Sequence, residues 1–377
     1  MGDGSAERVG GDTPENQQQS WQWRTQANGP YQFWGRSHSL RLALEAVVRS
    51  MGIFSLILAI CLVALVCLQM AGKLPVANAA EGTFQRTLQV IGPVSIDIST
   101  DSGGVNVRPG NSGQVLVMGH VKVTSWFGGN DQQRVKKIVD NPPIQQSRGE
   151  IRMGHITNSG FLHNVSISYD LVVPPQTRLR SSTGSGDQTI EGLQGQLEIE
   201  TGSGNLKISD IGDTVRAESG SGDIEIYRVK GNVHAEVGSG SINATEVAGG
   251  FEGSTGSGGI YLDQSARGPV RAETGSGGIE LRGVRGPLEA TAGSGNITAE
   301  GNPMGRWTVN TDSGDVRLKL ASEAAFDLDA HTDSGSISIS QPITVQGAQG
   351  PEELRGKVQG GGVPVEIATA SGNIQIR

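Results

Sequence analysis

Residues 201–208 read TGSGNLKI, and close variants of this octapeptide recur along the C-terminal half of the chain. From Ser185 to Ser313 the serine returns every 18 or 19 residues. A fixed period of this length is typical of a solenoid, in which each repeat forms one coil. The Ser-Gly pair occurs in this context at eleven positions, which we interpret as structural turns: Ser102, Ser185, Ser203, Ser221, Ser239, Ser257, Ser276, Ser294, Ser313, Ser334 and Ser371.

Apolar and polar residues alternate on both sides of each serine. Apolar side chains stand three and five positions after it, as at Ile224 and Ile226, and Gln188 is the one polar residue at the first of these positions. A second alternating segment, such as residues 233–237, precedes each serine. Alternation with a period of two indicates strands with one buried face, and the Gly-Ser-Gly core suits a tight turn. We therefore predict an all-β fold, a single-stranded β-helix (β-solenoid) with about 18 residues per coil.

The chain divides into five segments. Residues 1–38 are polar and aperiodic and are predicted to be a disordered cytoplasmic tail, and residues 39–72 a juxtamembrane and transmembrane α-helix that precedes the solenoid. Residues 73–81 are predicted to be a linker, and residues 82–180 irregular N-terminal β coils with an insertion. The regular β-solenoid repeats then fill residues 181–377.

The predicted membrane anchor is the uncharged stretch 52–72, which is long enough to span a bilayer. Arginines before it weakly favour a cytoplasmic N-terminus. The protein is therefore expected in a bacterial inner or plasma membrane, as a single-pass protein with its solenoid in the periplasm or outside the cell. A cleaved signal peptide, with its site at Ala77-Asn78-Ala79, is the alternative interpretation.

Composition limits the chemistry that the solenoid can perform. The formal net charge is -8, and no basic cluster stands out, which argues against nucleic acid as a partner. Both cysteines lie in the apolar stretch, and the histidines show no metal-ligand spacing. We predict no catalytic residue, no cofactor and no metal site. Calcium at the corner residues Asp312, Asp315 and Asp333 is a less favoured alternative.

Three stretches carry a resemblance to a known family. The GSGDIEI stretch at 220–226, Val172-Val173-Pro174-Pro175 and Gly360-Gly361-Gly362 resemble the bacterial "putative-adhesin" family of β-strand repeats, a domain of unknown function. The family is related to other envelope and bactofilin-like solenoids, and the resemblance covers about residues 82–377. It implies a β-solenoid in the bacterial envelope and offers no catalytic residues to transfer.

These observations favour a non-enzymatic, membrane-anchored envelope protein for adhesion, scaffolding or sensing of envelope components. Its expected partners are the membrane, through residues 52–72, and an envelope glycan, peptide or protein. A carbohydrate-active β-helix enzyme is one alternative. A self-assembling scaffold is the other, because the strand Ile374-Gln375-Ile376 closes the sequence without an evident cap and an open edge invites pairing.

Overall fold

The structure is a computed structural model, and it describes residues 78–125, 130–154, 164–346 and 350–377. The predicted tail and membrane helix lie outside these described residues. Within them, no helix is both long and apolar enough to cross a membrane. The described chain is nearly all β-structure and forms two sheets, a first sheet of 14 strands and a second sheet of 15.

The strands β1 to β29 are numbered in chain order, with one helix, α1, between β4 and β5. Their bounds are β1 Asn78–Gln89, β2 Ser95–Ser102, β3 Val105–Pro109, β4 Gln114–Ser125, α1 Asp131–Asp140, β5 Ile144–Ser147, β6 Glu150–Met153, β7 Val165–Val173, β8 Arg178–Ser185, β9 Gln188–Glu191, β10 Leu197–Ser203, β11 Leu206–Ile211, β12 Val215–Ser221, β13 Ile224–Val229, β14 Val233–Ser239, β15 Ile242–Val247, β16 Phe251–Ser257, β17 Ile260–Gln264, β18 Val270–Ser276, β19 Ile279–Val284, β20 Leu288–Ser294, β21 Ile297–Gly301, β22 Trp307–Ser313, β23 Val316–Leu320, β24 Phe326–Ser334, β25 Ile337–Ile339, β26 Ile343–Val345, β27 Glu353–Val358, β28 Val363–Ser371 and β29 Ile374–Ile376.

Each regular coil gives one strand to each sheet. The strand before the serine, such as β10, joins the second sheet, and the strand after it, such as β11, joins the first sheet. Successive coils pair in parallel and in register, so that Leu206 lies beside Ile224, which lies beside Ile242. This parallel stacking is the architecture of a β-solenoid, as the 18-residue period predicts.

The core lies between the two sheets and consists of the inward residue of each alternating pair. Strand β14, for example, buries Val233, Ala235 and Val237. The polar exception, Gln188, is also buried, and its side-chain Nε2 donates to the carbonyl of Glu200 at 2.7 Å. Trp307 is fully buried, and its indole N–H donates to the carbonyl of Gly286 at 3.0 Å, so a large aromatic fits a narrow core without an unpaired donor.

The N-terminal region differs from the predicted irregular coils. Strand β1 begins at Asn78, inside the predicted linker, and pairs antiparallel with β4, which pairs antiparallel with β7. Only β2 and β3 stack in parallel on the regular coils, at β8 and β9. The physical reason is that period-two alternation is the same for parallel and antiparallel strands, so it carries no information on strand direction. The predicted insertion contains α1 and the antiparallel hairpin β5–β6.

The C-terminal coil is not the open end of the solenoid. Strands β28 and β29 lie between the coil β22–β23 and the coil β24–β25, and therefore have neighbours on both sides. The prediction that Ile374-Gln375-Ile376 offers an unpaired edge is wrong. At this end of the second sheet, β27 pairs antiparallel with β24 and is followed by β26. In the first sheet the edge is the three-residue strand β25.

Candidate functional site

The serines of the repeat form one continuous ladder. Each serine ends a strand of the second sheet and begins the turn to the first sheet, a turn that we call the serine corner. Parallel pairing joins the eleven positions in the order Ser102, Ser185, Ser203, Ser221, Ser239, Ser257, Ser276, Ser294, Ser313, Ser371 and Ser334. The structure thus places all of the predicted turn residues on one edge, with the last two exchanged.

The residue two positions before the serine points inward, and in most coils it is a threonine or serine that binds one coil to the next. Its hydroxyl donates to the backbone carbonyl of the glycine that follows the serine in the neighbouring coil, as from Thr255 to Gly240 at 2.9 Å. Equivalent bonds are made by Thr183, Thr201, Ser219, Thr274, Thr311, Thr332 and Thr369. The recurrent threonine of the repeat therefore has a structural role, as does the corner glycine whose carbonyl accepts the bond.

A second hydrogen-bonded ladder runs along the position after the corner glycines. Side-chain oxygens of Asp187, Asn205 and Asp223 each accept from the backbone N–H of the equivalent residue in the next coil, at 2.8 to 2.9 Å. Asp315 accepts likewise from the N–H of Asn373 at 2.9 Å, and this bond lowers the pKa of the Asp315 carboxyl. These corner side chains therefore stabilise the turn by accepting hydrogen bonds from the backbone of the next coil.

The group Asp312, Asp315 and Asp333 does not come together as a calcium site. The coil that contains Ser371 lies between the coils of Asp312 and Asp333. Asp315 is engaged by Asn373 and by Arg317, whose Nη2 lies 2.7 Å from the carboxylate. The exchanged order of the last two coils is the physical reason for this outcome, because the sequence order would have made them neighbours.

The outward face of the second sheet carries a column of basic, acidic and imidazole side chains. Its members, one per coil, are Arg180, Glu198, Arg216, His234, Glu252, Arg271 and Glu289. The imidazole Nδ1 of His234 lies 3.1 Å from Glu252, and the guanidinium of Arg271 lies 2.6 Å from Glu289. These pairs are exposed, so each contributes about 0–1 kcal/mol to stability and remains accessible to a ligand.

A groove of about 620 Å³ runs beside this column and crosses several coils. Its lining includes Pro269, Pro287 and Leu288, which are apolar, and charged side chains of the column, among them Arg271 and Glu289. It begins at Thr214 and reaches Thr308, so it extends along the solenoid axis over coils spaced about 4.8 Å apart. An elongated molecule would fit this shape better than a compact one.

Beside the groove, three side chains from two adjacent strands form a group that could hold a metal ion. The ligand atoms of Glu218, His234 and Glu236 all lie within 4.8 Å of one another. Glu218 is on β12, and His234 and Glu236 are on β14. Among the described residues this is the group of His, Cys, Asp and Glu side chains that reaches metal-binding proximity.

Residues 94–377 match the family described as Toastrack DUF4097, which is about three quarters of the chain. The chain belongs to this family. The Toastrack match includes all eleven serine corners and every strand except β1, and it leaves the predicted membrane segment outside. Comparison with curated proteins gives no match.

Several solved structures are similar to the Toastrack region. A "putative cell adhesion protein" from Clostridium sporogenes has 12% identity, covers 79% of this chain and 99% of that chain, and has a TM-score of 0.23. A "putative lipid binding protein" from Parabacteroides distasonis has 11% identity, covers 80% and 98%, and has a TM-score of 0.38. A "putative adhesin" from Bacteroides fragilis has 13% identity, covers 78% and 97%, and has a TM-score of 0.28.

The Toastrack coil has a second corner, which we call the opposite corner. It comprises the last residues of each strand of the first sheet and the turn that leads to the next strand of the second sheet. In three successive coils Asp210, Arg228 and Glu246 adopt positive φ there, at 60°, 57° and 56°. The Arg228 guanidinium contacts Asp210 at 2.5 Å and Glu246 at 3.1 Å, and it lies 4.3 Å from the ring centroid of Tyr227. The hydrogen bonds that Arg228 donates to Glu246 and then to Asp210 raise its pKa above the usual range.

The sequence interpretation missed three features: the ion pairs at the opposite corner, the outward column of the second sheet that contains Arg271 and Glu289, and the group around His234. The signal for all three was the coil period. Residues 18 positions apart, such as Glu218 and Glu236 or Asp210 and Arg228, become neighbours when coils stack in register. Motif searches at helical or short spacing do not detect contacts of this kind.

Proposed function

We propose that this chain is a membrane-anchored, non-enzymatic protein of the bacterial envelope that binds an extended glycan along the groove of its second sheet. The observation that carries the proposal is the groove itself. It follows the solenoid axis, has an apolar lining at Pro269, Pro287 and Leu288, and has a rim of charged groups repeated once per coil.

The chemistry of the rim suits a polyhydroxylated chain. Arginine and histidine donate hydrogen bonds and glutamates accept them, so hydroxyl groups find both kinds of partner along Arg271, Glu252 and Glu289. The carbon-bearing faces of sugar rings would lie on the proline rings of the lining. The charges of Arg271 and Glu289 neutralise one another as a pair, which favours a ligand without high net charge.

The non-enzymatic part of the proposal rests on the sequence, in which no serine stands in a G-x-S-x-G nucleophile-elbow motif.

A binding experiment tests the glycan proposal. The full-length chain, purified in detergent, is applied to immobilised polysaccharides of the bacterial envelope, beside the double variant Arg271→Ala/Glu289→Ala. We expect the variant to lose about tenfold in affinity, which corresponds to about 1.4 kcal/mol. The control is Lys207→Ala/Glu225→Ala, which removes an exposed ion pair of 3.6 Å between adjacent coils of the first sheet.

Two outcomes would contradict the proposal. Equal binding by both double variants would place the ligand away from the groove. Release of new reducing ends from a bound polysaccharide, abolished by a single acidic substitution, would favour the carbohydrate-active enzyme instead.

The anchor is a separate part of the proposal and is supported by the uncharged stretch 52–72. A reporter enzyme that is active only outside the cytoplasm, fused after Arg377, is expected to be active and to sediment with membranes. Deletion of residues 52–72 is expected to abolish both properties. Two results would show that the segment is not a membrane anchor. The fusion could be active and soluble at its full size, or it could be active and shortened at its N-terminus.

A further inference from the structure

We propose that Glu218, His234 and Glu236 form a binding site for a divalent transition metal ion, with Zn²⁺ as the preferred ion. The three residues come from adjacent strands that pair in register, with Arg216 beside His234 and Glu218 beside Glu236. Because all three side chains leave the same face of the second sheet, their ligand atoms converge to within 4.8 Å of one another. The proposal does not rest on the binding of a glycan.

The donor set has the composition of a zinc site. One imidazole and two carboxylates supply three protein ligands, and the exposed face of the sheet leaves a fourth position for water. Bonds of about 2.0–2.2 Å in a tetrahedron require ligand atoms roughly 3.3 Å apart. Glutamate side chains reach that spacing from the present one by rotation about their own bonds, without movement of the strands.

A fourth residue orients the imidazole. The Nδ1 of His234 lies 3.1 Å from a carboxylate oxygen of Glu252, on the next strand β16. When Nδ1 carries the proton and donates to Glu252, Nε2 is left with the lone pair that binds a metal. A carboxylate on the second nitrogen is the usual partner of a metal-binding histidine.

The charge around the group is an independent reason to expect a cation. Glu200, Glu218 and Glu236 stack one per coil, and like charges in directly opposite positions are destabilising. Glu218 has an ion pair with Arg216. Neither Glu200 nor Glu236 makes an ion pair among the described residues, and a dication between Glu218 and Glu236 would offset their repulsion.

The experiment is a calorimetric titration of the full-length chain in detergent with Zn²⁺, after treatment with a chelator. We expect one strong equivalent that is lost or weakened at least tenfold in His234→Gln and in Glu236→Gln. The matched control is His331→Gln, because His331 is also exposed on the second sheet and contacts a carboxylate, Asp333, at 2.9 Å. Circular dichroism establishes that each variant keeps its β-structure.

The outcomes separate clearly. Loss in His234→Gln and Glu236→Gln, with binding unchanged in His331→Gln, supports the site. Unchanged binding in His234→Gln, absence of a saturable equivalent in the wild-type chain, or Ca²⁺ binding as tightly as Zn²⁺ would each overturn the proposal. The cysteines of the apolar stretch are common to all variants, so zinc bound there does not change between them.

Discussion

The two corners of the coil differ in how regularly their residues recur. At the serine corner nearly every coil repeats the same residues, the same hydroxyl-to-carbonyl bond and the same close approach of glycine to the neighbouring coil. At the opposite corner, glycine, proline, asparagine and charged residues replace one another, and positive φ is adopted by Asp210 as well as by Gly192. Glycines of the opposite corner such as Gly249 and Gly286 also approach the backbone of the neighbouring coil closely. The opposite corner is therefore constrained at these glycines, whereas its other positions vary and carry side chains that a ligand can meet.

The largest difference in stability between the corners is expected when a methyl group is added at each of them. In Gly222→Ala the new Cβ would collide with the carbonyl oxygen of Gly204, at a residue whose φ is 138°. We expect a loss of about 3 kcal/mol in the free energy of unfolding. In the control Gly250→Ala, at the opposite corner, the nearest atom is 3.2 Å away and φ lies outside the range that favours glycine. Here we expect less than about 1 kcal/mol.

Urea denaturation of the full-length chain measures both effects. Equal losses in the two variants would show that the corners are equally constrained and would contradict the comparison.

A smaller effect tests the hydroxyl bond of the serine corner. Thr255→Val removes the donor to Gly240 and should cost about 1 kcal/mol. Val237 occupies the same column in the preceding coil. Val237→Thr should therefore cost less than about 0.5 kcal/mol, because its hydroxyl finds the carbonyl of Gly222, whereas an unpaired buried hydroxyl costs about 1–3 kcal/mol.

The control for Val237→Thr is Val309→Thr. Val309 is buried in the column of Ser181, whose hydroxyl has no hydrogen-bond partner among the described residues. Thermal midpoints should fall clearly for Val309→Thr and hardly at all for Val237→Thr. A similar fall in both variants would show that the carbonyl of the corner glycine does not stabilise a buried hydroxyl.

The smallest effect is expected at the opposite corner. Arg228→Gly removes exposed, solvent-screened contacts with Asp210 and Glu246 but relieves a positive φ that is unfavourable for an arginine. The two changes nearly cancel, so the urea midpoint should move little at low salt. A destabilisation as large as that of Gly222→Ala would mean that the opposite corner also fixes the register.

The sequence was sufficient to predict the solenoid because the information is local and repeated. The Ser-Gly pair, the alternation around it and the corner glycines occur within each unit, and the ladder from Ser185 to Ser313 follows from the period alone. The exchange of Ser334 and Ser371 could not be predicted, since both coils have the Thr-x-Ser-Gly corner and the repeat does not specify which of them lies beside Ser313.

The proposed metal-binding group could be predicted from the sequence only in part. The column of Glu200, Glu218 and Glu236 follows from the coil period, because these residues are 18 positions apart and pair in register. His234 adds its imidazole to that column from the neighbouring position of β14, and Glu252 reaches it from the next coil. Their convergence depends on rotamers and on sheet twist, which residue spacing does not specify.

The exchanged order of the last coils also has a kinetic consequence. During synthesis, the coil β24–β25 emerges while the place beside β22–β23 is still vacant, because β28 and β29 follow later in the chain. The edge of β22 is open during this interval and can pair with β24, which has a matching corner at Ser334. We therefore expect an early, incorrect partner to compete with the late, correct one during folding, and slower synthesis of residues 363–376 should favour the incorrect pairing.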